Sequence, residues 1–184
     1  MRYFVAVDVQ NLWYSCRHAH GNDHRVDYQK LQDLVLDIAS EQGDDDPELE
    51  VTAYLIVSSG HDQTNFITAL RQLNFNVKKR HVFFDKKKKS ANNSNWDVGI
   101  TADAFANADN YDVFVLVSGD GDFIYLVEPL KDKGKDVYVI SFPESLATSL
   151  SNAATKAFHI DDDVAYSPRH RFDEEQRKRS LQEG

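Results

Sequence analysis

Apolar residues fall along this chain in two rhythms. Continuous runs appear in "RYFVAV" (Arg2 to Val7), "LEVTAYLIV" (Leu49 to Val57), "YDVFVLVS" (Tyr111 to Ser118) and "KDVYVIS" (Lys135 to Ser141). Uninterrupted and rich in β-branched residues, they read as strands of a parallel sheet buried on both faces. "NVKKRHVFF", from Asn76, reads as a further strand, and "KAFHI", from Lys156, as a closing extended segment. Between these runs the period changes to that of a helix. After Asp27, a plausible N-cap, Leu31, Leu34, Val35 and Ile38 recur at i, i+3, i+4 and i+7. "HDQTNFITALRQLNF" repeats the pattern with Phe66, Ile67, Leu70 and Leu73. "WDVGITADAFANA" predicts a third helix. "DFIYLVEPLKDKG" predicts a fourth, with Phe123, Val127 and Leu130 facing inward and Gly134 as its C-cap. A short helix is expected from about Glu144. "EQGDDDPE" breaks the chain, and Asp85 to Asn95 reads as a polar loop.

Strand alternating with helix predicts an α/β fold: a mostly parallel sheet of five or six strands with helices on both faces. Ligands of such sheets bind beyond the carboxyl ends of the strands, where the strand order reverses. Asp8 ends the first run, and Asp120 and Asp122 follow the run that ends at Ser118. If those two strands are neighbours, three carboxylates meet at one crevice. The boundaries are set at residues 1–165 for one domain and 166–184 for a polar C-terminal tail.

Composition narrows the class. Of 184 residues 41% are apolar, which suits a globular body. The single cysteine, Cys16, forbids a disulfide within the chain and fits a reducing, cytoplasmic setting. No apolar stretch is long enough to span a bilayer, so no membrane partner is expected. The net charge of −9 opposes a simple electrostatic nucleic-acid binder. It is compatible with an enzyme that reaches phosphate through metal ions held by carboxylates.

The acids Asp8, Asp97, Asp120 and Asp122 are the candidates for such chemistry. Gathered together they repel one another, and a divalent cation, Mg²⁺ or Mn²⁺, removes that repulsion. Such an ion lowers the pKa of bound water and stabilises displacement at phosphorus. The competing reading is plain: aspartates are common at strand ends and helix N-caps, and Asp120 or Asp122 then only starts a helix. Both glycines of "SGDGD" are expected to relieve crowding beside a ligand.

Three blocks, "VAVDVQNLWY", "NWDVGITADAF" and "VFVLVSGDGDFIYLVEPLKDKGKDVYVIS", together resemble the NYN/LabA-like (DUF88) branch of the PIN-like nuclease superfamily. The resemblance covers Arg2 to about Ile160 and leaves the tail outside. It implies a three-layer α/β/α, Rossmann-like domain with metal-dependent ribonuclease activity. It also implies site roles. Asp8 becomes the first-strand metal ligand, Asp97 the acid of the third helix, Asp120 the principal ligand and Asp122 the second. Asn11 orients Asp8 or contacts substrate, and Ser118 bonds within the site. Asp103, six positions after Asp97, is supporting. The chain departs from the family pattern in carrying Ser94-Asn95-Trp96 where Lys-Gly is common, and Gln10 where a glycine is common.

Lys86, Lys87, Lys88 and Lys89 can grip a phosphate backbone or simply be solvated. Trp96 can stack on a base or anchor the start of its helix, as can Trp13 and Tyr14 elsewhere. "CRHAHGNDH" places Cys16, His18, His20 and His24 close in sequence, but the spacing matches no standard zinc site and reads as a surface loop. Three functions follow in order: an endoribonuclease acting on single-stranded or looped RNA, a regulatory RNA- or protein-binding module that turns over little, and a phosphatase. A phosphatase of the haloacid-dehalogenase type needs an aspartate where Gln10 stands. A homo-oligomer is possible on any of these readings.

Overall fold

The computed structural model describes residues 1–58, 62–82 and 95–168. Six strands form one sheet: β1 (Arg2–Asp8), β3 (Glu48–Ser58), β4 (Asn76–Val82), β5 (Val113–Val117), β6 (Asp136–Ser141) and β7 (Lys156–His159). Their spatial order is β4-β3-β1-β5-β6-β7, and every neighbouring pair is parallel. The helices are α1 (Val9–His20), α2 (Tyr28–Glu41), α3 (Thr64–Gln72), α4 (Asp97–Ala106), α5 (Ile124–Asp132) and α6 (Thr148–Ala153). A small second sheet pairs β2 (Arg25–Val26) with β8 (Ala165–Tyr166), antiparallel.

The alternation of side chains along each strand divides the interior into two cores. Tyr3, Val5 and Val7 of β1, with Val113, Val115 and Val117 of β5, face one side and pack under α1, α2 and α3. Phe4 and Ala6 of β1, with Phe114 and Leu116 of β5, face the other and pack under α4, α5 and α6. The central strands β1, β5 and β6 are apolar on both faces because both faces are covered. Each fully buried aromatic or aliphatic side chain contributes roughly 1.5–3 kcal/mol, and Tyr54, Phe114, Leu116 and Phe123 are among those at 0–1% exposure. The result is the expected three-layer α/β/α architecture.

Several expected signals are present at their sites. Asp27 caps α2, its Oδ1 accepting from the N–H groups of Gln29 and Lys30 at 3.1 and 3.3 Å. Gly134 takes φ +76° just past α5, where its N–H reaches the Lys131 carbonyl at 2.8 Å. One reading is corrected. "CRHAHGNDH" is not a surface loop in its first half: Cys16 to His20 belong to α1, and Cys16 is 1% exposed. The physical reason is Asp8, which ends β1 and also caps α1, accepting from Asn11 N–H at 3.1 Å. One residue turns the chain from strand to helix with no intervening loop to mark the change. The expected tail, residues 166–184, starts inside the β2–β8 pair, and Ser167 donates to Asp23 at 3.1 Å. Residues 169–184 lie outside the described part.

β1 decides where a site can lie. The chain leaves β1 toward β3 and β4, then returns to the opposite side of β1 at β5. The strand order therefore reverses between β1 and β5, and a crevice opens beyond their carboxyl ends. Asp8 is the last residue of β1, and Ser118 to Asp122 follow the last residue of β5.

Candidate functional site

Four segments converge on that crevice: the end of β1, the turn after β5, and the N-termini of α1 and α4. The turn after β5 is built from within. Asp120 caps a 3-10 turn (Gly121–Phe123) by accepting from Asp122 N–H at 3.0 Å. Ser118, 1% exposed, accepts from Asp120 N–H at 3.3 Å. Phe123, 1% exposed, pins the turn into the core beneath α5.

Gly119 is required by the chain itself rather than by a ligand. A Cβ there would lie 2.1 Å from the Ser145 carbonyl oxygen, and at Gly121 it would lie 3.2 Å from Ala147 Cβ. The two glycines relieve crowding against the segment before α6, which corrects the expectation that a ligand sets them. Gly119 is further clamped at both polar ends. Its carbonyl accepts from Ala147 N–H at 3.0 Å, and its N–H donates to Asn11 Oδ1 at 3.0 Å.

Asn11 thus joins the two sides of the crevice. Its N–H goes to Asp8, its side-chain oxygen to Gly119, and that oxygen also accepts from the Ser15 hydroxyl at 3.4 Å. These contacts place Asn11 as a strut between the ends of β1 and β5.

On the other wall, Trp96 holds the start of α4. Its indole N–H donates to the Leu55 carbonyl at 2.8 Å, one residue past the last β1 partner in β3. Its ring meets Tyr54 edge-on at 5.3 Å. Gly99 makes room for it, since a Cβ there would fall 2.4 Å from Trp96 Cε3. Asp97, the first residue of α4, is aimed into the crevice by this anchor, at a helix end that favours negative charge.

Asp97, Asp120 and Asp122 each offer an oxygen, and the three oxygens lie within 4.8 Å of one another. Asp97 and Asp120 are half-buried, and Asp122 is exposed. Among the described residues no Lys, Arg or His forms an ion pair with any of them. Asp8 stands apart from this trio, deeper, at 6% exposure. Burial pushes its carboxyl up to about 6; the Asn11 N–H works against this, and the charges of Asp97 and Asp120 add to it. Asp97 is raised too, first by burial and then by Asp120 and Asp122. These shifts have the sign expected of acids held together without a counter-charge. The donor set, all carboxylate oxygen with one acid open to solvent, fits a hard divalent ion that keeps some of its water.

Asp103 does not join the trio. It accepts from Tyr54 Oη at 2.7 Å and from Lys78 Nζ at 2.6 Å, which ties α4 to β3 and β4. Its neighbours explain the position: six residues from Asp97, it points to a different side of the helix. Lys86, Lys87, Lys88 and Lys89 lie outside the described residues. Asn95 was not singled out as a site residue by the sequence, yet its side-chain amide donates to Asp97 Oδ2, while its carbonyl accepts from Arg80 at 3.0 Å. The signal was its place two residues ahead of Asp97. Cys16, His18, His20 and His24 are not drawn into a metal-ligating group; among the described residues that grouping is the acid trio. His20 instead packs edge-on against Phe142 at 5.4 Å.

A model of the NYN domain matches residues 2–161. The chain belongs to the NYN-domain family. All four acids of the crevice lie inside the matched range. The low amplitude and bright protein LabA of Synechococcus elongatus is 32% identical over 123 residues, covering 63% of this chain and 66% of the relative. This NYN chain therefore aligns with just under two thirds of that relative's length. A Vibrio parahaemolyticus protein of unknown function, known from a crystal structure, superposes with a TM-score of 0.73 at 32% identity. That comparison covers 90% of this chain and 96% of the other. The NYN assignment places the chain among folds of the PIN-like, nuclease type, whose domains are generally nucleic-acid-binding and typically use divalent metals. No helix among the described residues is long and apolar enough to cross a membrane.

Proposed function

We propose that this NYN domain is a metal-dependent endoribonuclease that hydrolyses phosphodiester bonds of single-stranded or looped RNA. The observation that carries the reading is the trio Asp97, Asp120 and Asp122, gathered within 4.8 Å at the reversal point of the sheet. A divalent cation, Mg²⁺ or Mn²⁺, supplies Lewis acidity toward the phosphate and an activated water when bound.

The chain's own residues divide the remaining work. Asp97, Asp120 and Asp122 hold the ion, and Asp8 adds a fourth negative charge from the floor of the crevice. Asn11 ties the β1 and β5 ends together through the Gly119 N–H, and Ser118 shapes the turn after β5 through the Asp120 N–H. Trp96 fixes the start of α4 and with it Asp97. Phosphate approach to an acidic crevice needs the ion to be present, so the negative surface itself rejects RNA in the metal-free protein.

Purified protein is expected to cleave single-stranded RNA with Mn²⁺ and to stop with EDTA. Asp8→Asn and Asp120→Asn are each expected to lower cleavage by roughly 100-fold or more while circular dichroism stays that of the wild type. Cleavage by both variants at the wild-type rate removes the assignment. A second reading, a binding module with little turnover, draws on Asn95. Its amide occupies an oxygen of Asp97 where the family commonly carries Lys-Gly nearby. RNA binding indifferent to Mn²⁺ and EDTA, without cleavage, selects that reading.

A further inference from the structure

Six large apolar side chains stand exposed among the described residues: Met1, Trp13, Tyr14, Leu36, Val98 and Tyr125. The two most exposed, Val98 at 81% and Tyr125 at 80%, each lie within three residues of an acid of the trio. Val98 follows Asp97 in the first turn of α4. Tyr125 lies three residues after Asp122, in the first turn of α5.

Tyr125 is not a core side chain displaced from its place. The inward register of this segment is filled by Phe123, Leu126 and Val127, each at 0–1% exposure. Residues three apart on a helical path stand side by side, about 5–6 Å between Cβ atoms. Asp122 and Tyr125 therefore share the outward side of the turn that carries the trio.

The other exposed aromatics are used differently. Trp13 meets the Tyr14 ring at 4.7 Å and lies under the Arg17 guanidinium at 4.4 Å, so these side chains cover one another. Their helix, α1, lies on the opposite face of the sheet from α5. Tyr125 has no such ring or cation partner among the described residues. Tyr125 thus presents a bare phenol ring to solvent three residues from Asp122.

We propose that Tyr125 is a stacking platform for an unpaired nucleobase of single-stranded RNA whose backbone lies at the acid trio. This rests on the nuclease reading and adds to it a source of strand selectivity. A flat ring with two rotatable side-chain bonds loses little freedom when a base lies on it, and every base offers a π-face. In a duplex the bases are already stacked inward, so none is offered to Tyr125. Val98, next to Asp97 in the first turn of α4, is exposed as well.

The test uses the full chain and a 5′-labelled RNA of about ten nucleotides, within the span such sites occupy. Fluorescence anisotropy is read with Ca²⁺ in place of Mn²⁺. Tyr125→Ala is expected to weaken binding about ten-fold, the order of one lost stacking contact, and Tyr125→Phe to bind as the wild type does. A series of RNAs with one abasic position each then locates the base. At one position the abasic change weakens the wild type comparably, and Tyr125→Ala adds nothing further. Tyr14→Ala, an exposed aromatic on the other face, is expected to show neither effect.

Unchanged affinity of Tyr125→Ala overturns the proposal. So does a loss that is the same at every abasic position and equally large for duplex RNA. Unchanged RNA binding with altered self-association by sedimentation also overturns it, and assigns Tyr125 to a protein contact. The two readings fail separately: cleavage by wild type with no Tyr125 effect removes the stacking role alone. Absence of both binding and cleavage by wild type removes the nuclease reading with it.

Discussion

The two ends of the sheet treat their carboxylates in opposite ways. At the N-terminal edge, Asp112 accepts from the Arg2 backbone N–H at 2.8 Å and from its guanidinium at 3.3 Å. Those hydrogen bonds hold its carboxyl below the usual carboxylate range. Asp44 meets the Met1 amine at 2.6 Å and is lowered in the same way. At the C-terminal edge, Asp8 and Asp97 are raised, and the trio has no cation among the described residues. Both edges are rich in aspartate, so composition does not separate them. What separates them is whether folding supplies a counter-charge. One edge is finished by the chain's own cations; the trio at the other has no such partner among the described residues.

The largest expected effect tests this contrast in activity. Asp120→Asn should lower Mn²⁺-dependent RNA cleavage by roughly 100-fold or more, in the range seen when one group that stabilises the transition state is lost. Asp112→Asn should leave the rate unchanged. Equal losses in the two variants erase the distinction between the edges.

The next effect concerns the clamp that shapes the acidic turn. Gly119→Ala puts a Cβ against the Ser145 carbonyl, at 2.1 Å before any relaxation. Backbone on both sides must shift, at a cost of roughly 3 kcal/mol, the upper part of the range for overpacking. Urea denaturation measures it, and a cost near zero would show that the turn is not set by this contact.

Asp8 gives a comparable but pH-dependent effect. Its folded value of about 6 lies above the ordinary 3.8. A carboxyl raised on folding leaves the folded state binding more protons between those values, so stability falls as pH rises through that window. The cost is absent below pH ~4 and complete above pH ~6, and reaches about 2–3 kcal/mol. In EDTA, wild type should lose that much stability between pH 4 and 7. Asp8→Asn keeps the capping oxygen that Asn supplies as well as Asp does, and should show a flatter profile and higher stability at pH 7. A variant less stable than wild type at pH 7 would mean that the Asp8 charge is stabilising.

The smallest effect lies at the opposite edge. Asp112→Asn should cost at most about 1 kcal/mol, because the Arg2 pair is exposed, and the cost should shrink with added salt. The sign is reversed from Asp8: a lowered carboxyl stabilises above its ordinary range, and that stabilisation is lost as pH falls.

Much of this contrast was legible in the sequence. The strand "YDVFVLVS" followed by "SGDGDF" located Asp120 and Asp122, because a buried parallel strand must end where its acids begin. Asp8 was legible for the same reason. What could not be read was that Asp8 would sit apart from the trio and cap α1. That helix was hidden because its inward positions, Leu12, Ser15 and Cys16, include small and polar side chains, while Trp13 and Tyr14 point outward. Asp103 and Asp97 share one helix, and only the packing of Tyr54 and Lys78 shows that Asp103 is neutralised at the wall. The need for Gly119 came from a segment 26 residues further on, a contact no local pattern reveals.

Diffraction from a crystal soaked in Mn²⁺, with anomalous scattering used to find the ion, tests the central claim most directly. The account predicts one strong peak touching oxygens of Asp97, Asp120 and Asp122, with none at Asp44 or Asp112. A saturating soak that leaves the trio empty, or that puts manganese only elsewhere on the molecule, would contradict it.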